Sequence, residues 1–329
     1  MNVSIITPIY NESRNLKKIY NKLCKQDRAS FEFEWVLIDD GSIDNSKEII
    51  EDIICNHNPE LFSITFIQQK NSGAAAARRN GINNCKYDII TILDADDELS
   101  DNALRLALSK MSEKVDIVCF RVEFLNADGR FESEFKYSPS EWPVSGQQAF
   151  SECIDGWGLT GWFMVKKKII LKAYEYADNY LLSNTVNLDE FVSRLCMYNA
   201  TQVDICDGVY FYYNNPQSTT KSVNQNYYKT IYTALALNSF IFDFCDEVLQ
   251  RKSHRHLLST NYGIYLRFLK WRKKLLSPND WFCAMQKIAY AIDVSMLLRD
   301  MRVSPDSLKL MVKIILAFYI RLRWLRWLR

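Results

Sequence analysis

Five short runs rich in β-branched residues punctuate the first part of the chain, at 3–7, 34–39, 62–68, 88–93 and 115–122. Between them, apolar positions recur at helical spacing over about 12–26, 44–56, 73–84 and 100–112. The short runs are almost continuously apolar, as strands covered on both faces are. Helix-length crossovers between such runs predict an α/β fold with a parallel, doubly wound sheet and helices on both sides. In such sheets ligands sit beyond the carboxyl ends of the strands. That rule gathers Pro8–Glu12, Asp39–Ser42 and Asp94–Glu98 on one rim, because each directly follows a strand.

Residues 126–220 are mixed, with Gly, Trp and Pro punctuation and a β-like run at Val203–Tyr213. From about residue 225 the pattern turns helical, with breaks at Ser277-Pro278 and Ser304-Pro305. The expected organisation is an α/β domain over 1–222, with halves 1–125 and 126–222, and a helical domain over 223–329.

Composition sharpens that division. Of 329 residues, 48% are hydrophobic and 13% aromatic, enough for a substantial core. The net charge of +2 hides an asymmetry: residues 1–220 hold 22 Lys+Arg against 32 Asp+Glu, net −10, and residues 221–329 hold 19 against 7, net +12. The basic part is suited to an anionic surface. Nine scattered cysteines form no CxxC and no zinc-ligand spacing, so free thiols in a reducing cytoplasm are expected. The chain opens on a strand-like run rather than a leader, and no uninterrupted apolar run reaches the ~18 residues of a membrane span. No G-x-G-x-x-G and no P-loop occurs, which argues against dinucleotide or NTPase chemistry.

The stretch Ile92–Leu99, ILDADDEL, places four acids among five residues at the end of an apolar strand. An EF-hand beginning at Asp94 fails, because its sixth and twelfth places are Leu99 and Arg105. A solvated helix N-terminus near Ser100 is one reading. The other is a metal site: carboxylates at i and i+2 on a turn reach one hard cation, Mg²⁺ or Mn²⁺, completed by phosphate oxygens and water. Around it, Asp40 at a strand tip suits a base or ribose, Tyr10 suits stacking on a base, and Arg78 with Arg79 suits a diphosphate. Each of these has an ordinary structural explanation as well: turn chemistry, strand-to-helix punctuation, and an Ala-rich helix with surface arginines.

Taken in order, PIYNE (8–12), DDGSIDNS (39–46), NSGAAAARRNG (71–81) and LDADD (93–97) resemble the family 2 glycosyltransferases with a GT-A fold. The resemblance covers roughly the first third of the chain, and Arg79 stands where that family usually has Asn. It implies that Asp40 binds the base, that Pro8, Tyr10 and Glu12 line the nucleoside pocket, that Asp94 contacts ribose or metal, and that Asp96 ligates the metal. In Asn187-Leu188-Asp189-Glu190-Phe191 it implies Asp189 as general base, with Leu188 replacing the first acid of the usual pair and Glu190 as the fallback. Gly158–Lys167 resembles the segment where an acceptor site forms, with Trp157 and Trp162 suited to sugar faces or to the core. Tyr210–Thr220 resembles a closing strand and loop; Asn replaces the usual Arg, leaving Lys221 or Arg78 as the diphosphate's cation.

The expected activity is inverting, metal-dependent transfer from a nucleotide-sugar donor, UDP-linked, to a glycan or lipid-linked acceptor. No nucleic-acid partner is expected. The last nine residues, RLRWLRWLR, alternate Trp/Leu and Arg in a way that suits the headgroup zone of an anionic membrane. They point to a peripheral place on the cytoplasmic face of the inner membrane. The rivals are a sugar nucleotidyltransferase, which wants a Gly-rich loop where PIYNES stands, and a membrane-associated binding module that has lost its base.

Overall fold

The structure, a computed structural model, describes residues 1–28, 30–182, 185–214, 223–298 and 305–327; within the last segment side chains are described from Lys309 to Ile320. The chain forms two compact units. One comprises Met1–Phe150, Gly158–Asn179 and Val192–Asn215; the other comprises Ser151–Trp157, Tyr180–Phe191 and Pro216–Arg329. Segments 151–157 and 180–191, placed before residue 222 by the sequence, thus group with the second unit.

The first unit opens with strict alternation: β1 (Val3–Ile9), α1 (Leu16–Cys24), β2 (Phe33–Asp39), α2 (Ser46–Asn56), β3 (Ser63–Gln68), α3 (Ala74–Asn84) and β4 (Ile89–Ile92). The chain then runs through β5 (Glu98–Leu99), α4 (Ala103–Lys110), β6 (Val115–Leu125), β7 (Phe131–Glu134), β8 (Val144–Ser145), α5 (Gly146–Glu152), β9 (Phe163–Lys166), α6 (Lys167–Asn179), α7 (Leu188–Asn199) and β10 (Gln202–Tyr213), the end of α5 and the start of α7 counting with the second unit. The strands form one sheet in the order β3-β2-β1-β4-β9-β6-β10-β5, with β7 beside β6 and β8 beside β10. From β3 to β4 all pairings are parallel, as the crossovers predict. β9 then runs antiparallel between β4 and β6, and β10 returns parallel to β6. The sheet is therefore mixed, because β9 arrives from a loop-rich stretch rather than a single helical crossover.

Burial explains the sequence pattern. Every residue of β2 and all but Pro8 of β1 are buried, whereas edge strand β3 is exposed at both ends. Each fully buried Ile, Leu or Val contributes roughly 1.5–3 kcal/mol. The polar residues taken inside are partnered: Ser4 donates to Glu34 at 2.6 Å, and the Trp35 indole donates to Thr7 at 2.9 Å. Gly81 lets α3 lie against the sheet, since a Cβ there would stand 2.5 Å from Ile6 Cγ2 and 2.6 Å from Ile38 Cδ1. Register aligns Ile9, Asp39 and Gln68 in one row at the carboxyl ends of β1, β2 and β3.

The second unit is helical: α8 (Thr230–Phe244), α9 (Glu247–Trp271), α10 (Pro278–Ala291), α11 (Val294–Leu298) and α12 (Pro305–Trp327). Its core includes Ile231, Leu257, Leu258, Trp281, Ile288 and Ile320. Asp246 caps α9 by accepting from the Leu249 amide, and Pro278 opens α10 where its missing N–H costs nothing. Among the described residues no helix is long and apolar enough to cross a membrane. All nine cysteines are free thiols.

Candidate active site

The rim loops after β1 and β2 are laced together. Asn11, at φ +59°, donates its amide to Ser42 Oγ, and its side-chain oxygen accepts from the Ile43 amide. The Glu12 amide donates to Ser46 Oγ, and the Ser13 amide to Asp44. Burial opposes ionisation of Asp44, but the hydrogen bonds from Ser46 and Ser13 outweigh it and hold its carboxyl below the usual range. Tyr10 stands 48% exposed at the tip of this lip, and Pro8 and Glu12 are half-buried behind it.

Asp40 is buried and its carboxylate is well supplied. It accepts from Gln69 Nε2, the Ser72 amide and the Gly73 amide, each at 2.7 Å. The last two amides lead into α3, so Asp40 acts there as the anion a helix N-terminus attracts. Arg78 and Asp94, which the sequence reading assigns to separate tasks, are paired: Arg78 donates to Asp94 Oδ1 at 2.8 Å. Arg79, in the place of the usual Asn, forms a two-pronged pair with Asp178 at 2.6 and 2.5 Å.

The acid turn is anchored from β10. The Asp94 amide donates to the Tyr210 hydroxyl at 3.3 Å, which donates to Asp97 at 2.8 Å. The Tyr213 amide donates to the other Asp97 oxygen at 3.0 Å. Asp97 is buried and its carboxyl is pushed well above the usual range, by burial first and then by Asp94 and Asp96; the hydrogen bonds from Tyr213 and Tyr210 only partly offset this. Glu98 has the opposite setting. Burial disfavours its charge, but Lys18, Tyr213 and Lys22 bring its carboxyl below the usual range. Lys18 pairs with it directly, Lys22 stands at 3.4 Å, and the Tyr213 hydroxyl donates at 3.0 Å. Thus two adjacent acids of the cluster, Asp97 and Glu98, are structural anchors.

The remaining acids face one another. Glu12 is raised by burial, against the Asn15 hydrogen bond, and further by Asp96, Asp44 and Asp94. The Tyr212 phenol is raised by burial and then by Asp97, Asp96 and Asp94. Beside it, Trp162 packs 5.5 Å from Tyr210 and 5.3 Å from Tyr212. Pro8, Tyr10, Glu12, Asp40, Arg78, Asp94 and Asp96 all belong to the first unit. Asp189 and Trp157 belong to the second. Asp189 is exposed in the first turn of α7, next to a buried Leu188, and Asn187 Nδ2 donates to Glu190 at 3.1 Å. Residues 215–222, including Lys221, lie outside the described residues.

Residues 4–164 match the family model described as glycosyl transferase family 2. This segment belongs to that family. The domain is 33% identical over 132 residues to glycosyltransferase GlyG of Streptococcus pneumoniae, covering 39% of this chain and 42% of that protein. It is 26% identical over 207 residues to chondroitin synthase of Escherichia coli, covering 60% and 28%. The chain spans less than half the length of these curated relatives. A structure of S. aureus TarS 1–349 in complex with UDP-GlcNAc superimposes with a TM-score of 0.67 at 16% identity, covering 99% of this chain and 92% of that one. That likeness carries the GT-A fold.

The acid turn also takes partners from outside its own motif, and the tyrosines among them lie beyond the matched segment. Tyr210 and Tyr213 from β10, and Lys18 and Lys22 from α1, reach the acid turn, more than a hundred residues away in the case of the tyrosines. No spacing rule links them. Among the described residues, no three acid, His or Cys side chains form a ready-made metal cage. Glu12, whose carboxyl burial raises first, is nonetheless raised further by Asp96, Asp44 and Asp94, so these carboxylates share one neighbourhood. This donor set fits a hard cation that takes one or two carboxylates and completes its shell with phosphate oxygens and water.

Proposed function

We propose that the protein transfers a sugar from a nucleotide-diphosphate donor, UDP-linked, to a hydroxyl of a cell-surface glycan or lipid-linked precursor, with inversion. The observation that carries this reading is the rim itself. A lip with exposed Tyr10, the Asp40 loop and an anchored acid turn stand at the carboxyl ends of adjacent parallel strands in a family 2 domain. Relatives named for chondroitin and for poly(ribitol-phosphate) N-acetylglucosaminyl transfer support a glycan acceptor.

In this reading Tyr10 and Pro8 flank the base, and Asp40 orders the loop against which the nucleoside lies. Asp96, with Asp94 near it, would hold Mg²⁺ or Mn²⁺, which neutralises charge on a departing diphosphate when bound. Arg78 steadies Asp94 and adds positive charge to that side of the rim. Asp189 accepts the proton of the acceptor hydroxyl as its oxygen bonds to the anomeric carbon, and the carbon–oxygen bond to the diphosphate breaks. One displacement inverts the centre.

A thermal-shift panel of UDP-, GDP- and dTDP-sugars with and without Mn²⁺ tests the donor. A UDP-sugar is expected to raise the melting temperature, more so with Mn²⁺; stabilisation by none of them removes the proposal. The buried Leu188 in place of an acid motivates a second reading, a binding module. Donor binding without transfer by the unaltered protein would favour it.

A further inference from the structure

Helix α12 is apolar on two sides. Ile314, Ala317 and Ile320 are buried in the core of the second unit. Met311, Val312, Ile315, Phe318 and Tyr319 are 44%, 51%, 63%, 44% and 51% exposed. At helical spacing these five occupy an arc of about 120° on the far side from the buried three, and no polar residue between Met311 and Tyr319 interrupts it. Lys313 lies outside that arc and donates to Ser259 on α9 at 3.0 Å. A helix apolar on nearly all sides is normally buried, and an uninterrupted apolar strip on the surface marks a contact site.

Charge selects what makes the contact. Residues 221–329 hold 19 Lys+Arg against 7 Asp+Glu, and Arg272, Lys273 and Lys274 are exposed in this unit. Four of the five side chains of the strip, Met311, Val312, Ile315 and Phe318, carry no hydrogen-bond donor, whereas a protein interface carries about one hydrogen bond per 100–200 Å². Aromatic and long aliphatic side chains backed by basic charge suit the boundary between headgroups and acyl chains. Because no described helix is long and apolar enough to span, the strip lies on a bilayer rather than through it.

We propose that the Met311–Tyr319 face of α12 docks the protein on an anionic lipid surface, with the basic charge of the second unit supplying the attraction. This goes beyond the catalytic reading and does not depend on it. It also differs from an anchor in the last nine residues, because the contacting side chains precede Arg321.

Flotation of the full chain with vesicles of phosphatidylcholine alone, and of phosphatidylcholine mixed with phosphatidylglycerol, tests it. Binding is expected to the mixed vesicles and to weaken as salt is raised. Val312→Glu with Ile315→Glu should lower it by about tenfold or more. Both positions face outward, so circular dichroism and the melting temperature should stay unchanged; Ile315→Ser gives a milder second reading if the double variant fails to fold. No binding to either vesicle, equal binding to both, or undiminished binding by the variants overturns the proposal. So does a self-associated species, seen by light scattering, that the double variant dissolves.

Discussion

Gly41 stands at φ +74°, and a Cβ there would meet the Asn71 amide nitrogen at 2.9 Å. Both facts oppose any side chain, because the left-handed region costs an L-residue about 1–2 kcal/mol. Gly41→Ala is expected to destabilise the protein by about that amount in chemical denaturation and to weaken nucleotide-sugar binding, since the residue it pushes begins the loop held by Asp40. At the acid turn, neighbouring carboxylates should respond differently. Asp97 is already disfavoured as an anion by burial and by Asp94 and Asp96, so Asp97→Asn should stay within about 1 kcal/mol of the unaltered stability. Asp96→Asn should leave stability unchanged and lower transfer on the order of a hundredfold, measured as kcat/KM with Mn²⁺ present. Asp189→Asn should lower kcat by a factor of about 10²–10⁴ without changing donor binding. These residue types were legible in the sequence as a cluster of acids. Which of them is buried as an anchor was not, because the tyrosine partners of Asp97 come from β10.

At the scale of elements, β5 is only two residues long, yet it ties three parts of the first unit together. Leu99 and Glu98 pair with Tyr210 and Phe211, and Glu98 receives Lys18 and Lys22 from α1. The Glu98 carboxyl lies below its ordinary value in the folded protein. Its stabilising contribution is therefore present above the unfolded value near 4.3 and is lost as pH falls through the lower folded value. Glu98→Gln should cost about 2 kcal/mol at neutral pH, and the gap to the unaltered protein should narrow in acid; a gap that widens there would contradict the assignment. The alternation of β1 to β4 with α1 to α3 follows directly from the hydrophobic pattern, and Pro278 and Pro305 begin α10 and α12 where the sequence breaks. The antiparallel β9 was not foreseeable. Its four residues, Phe163–Lys166, carry no signal for which neighbours they join, and their place between β4 and β6 is fixed by pairing from both sides.

For the whole molecule, the acids of the rim are held by protein donors, Asp97 by Tyr210 and Tyr213 and Asp94 by Arg78. Removal of divalent cations with EDTA should therefore leave the circular dichroism spectrum intact while abolishing transfer and reducing the donor-induced thermal shift. The chain by itself determined the doubly wound alternation, the rim on which its motifs fall, the family of residues 4–164 and the charge division between its two parts. Those properties follow from local periodicity and from short contiguous motifs. Tertiary structure alone decided that Asp40 closes the N-terminus of α3, that Arg78 pairs with Asp94, and that Tyr210 and Tyr213 hold Asp97. It also decided that α12 turns one apolar face inward and leaves the other exposed. Each of these depends on which distant segments meet, and hydrogen-bond partners and burial belong to that meeting rather than to neighbours along the sequence.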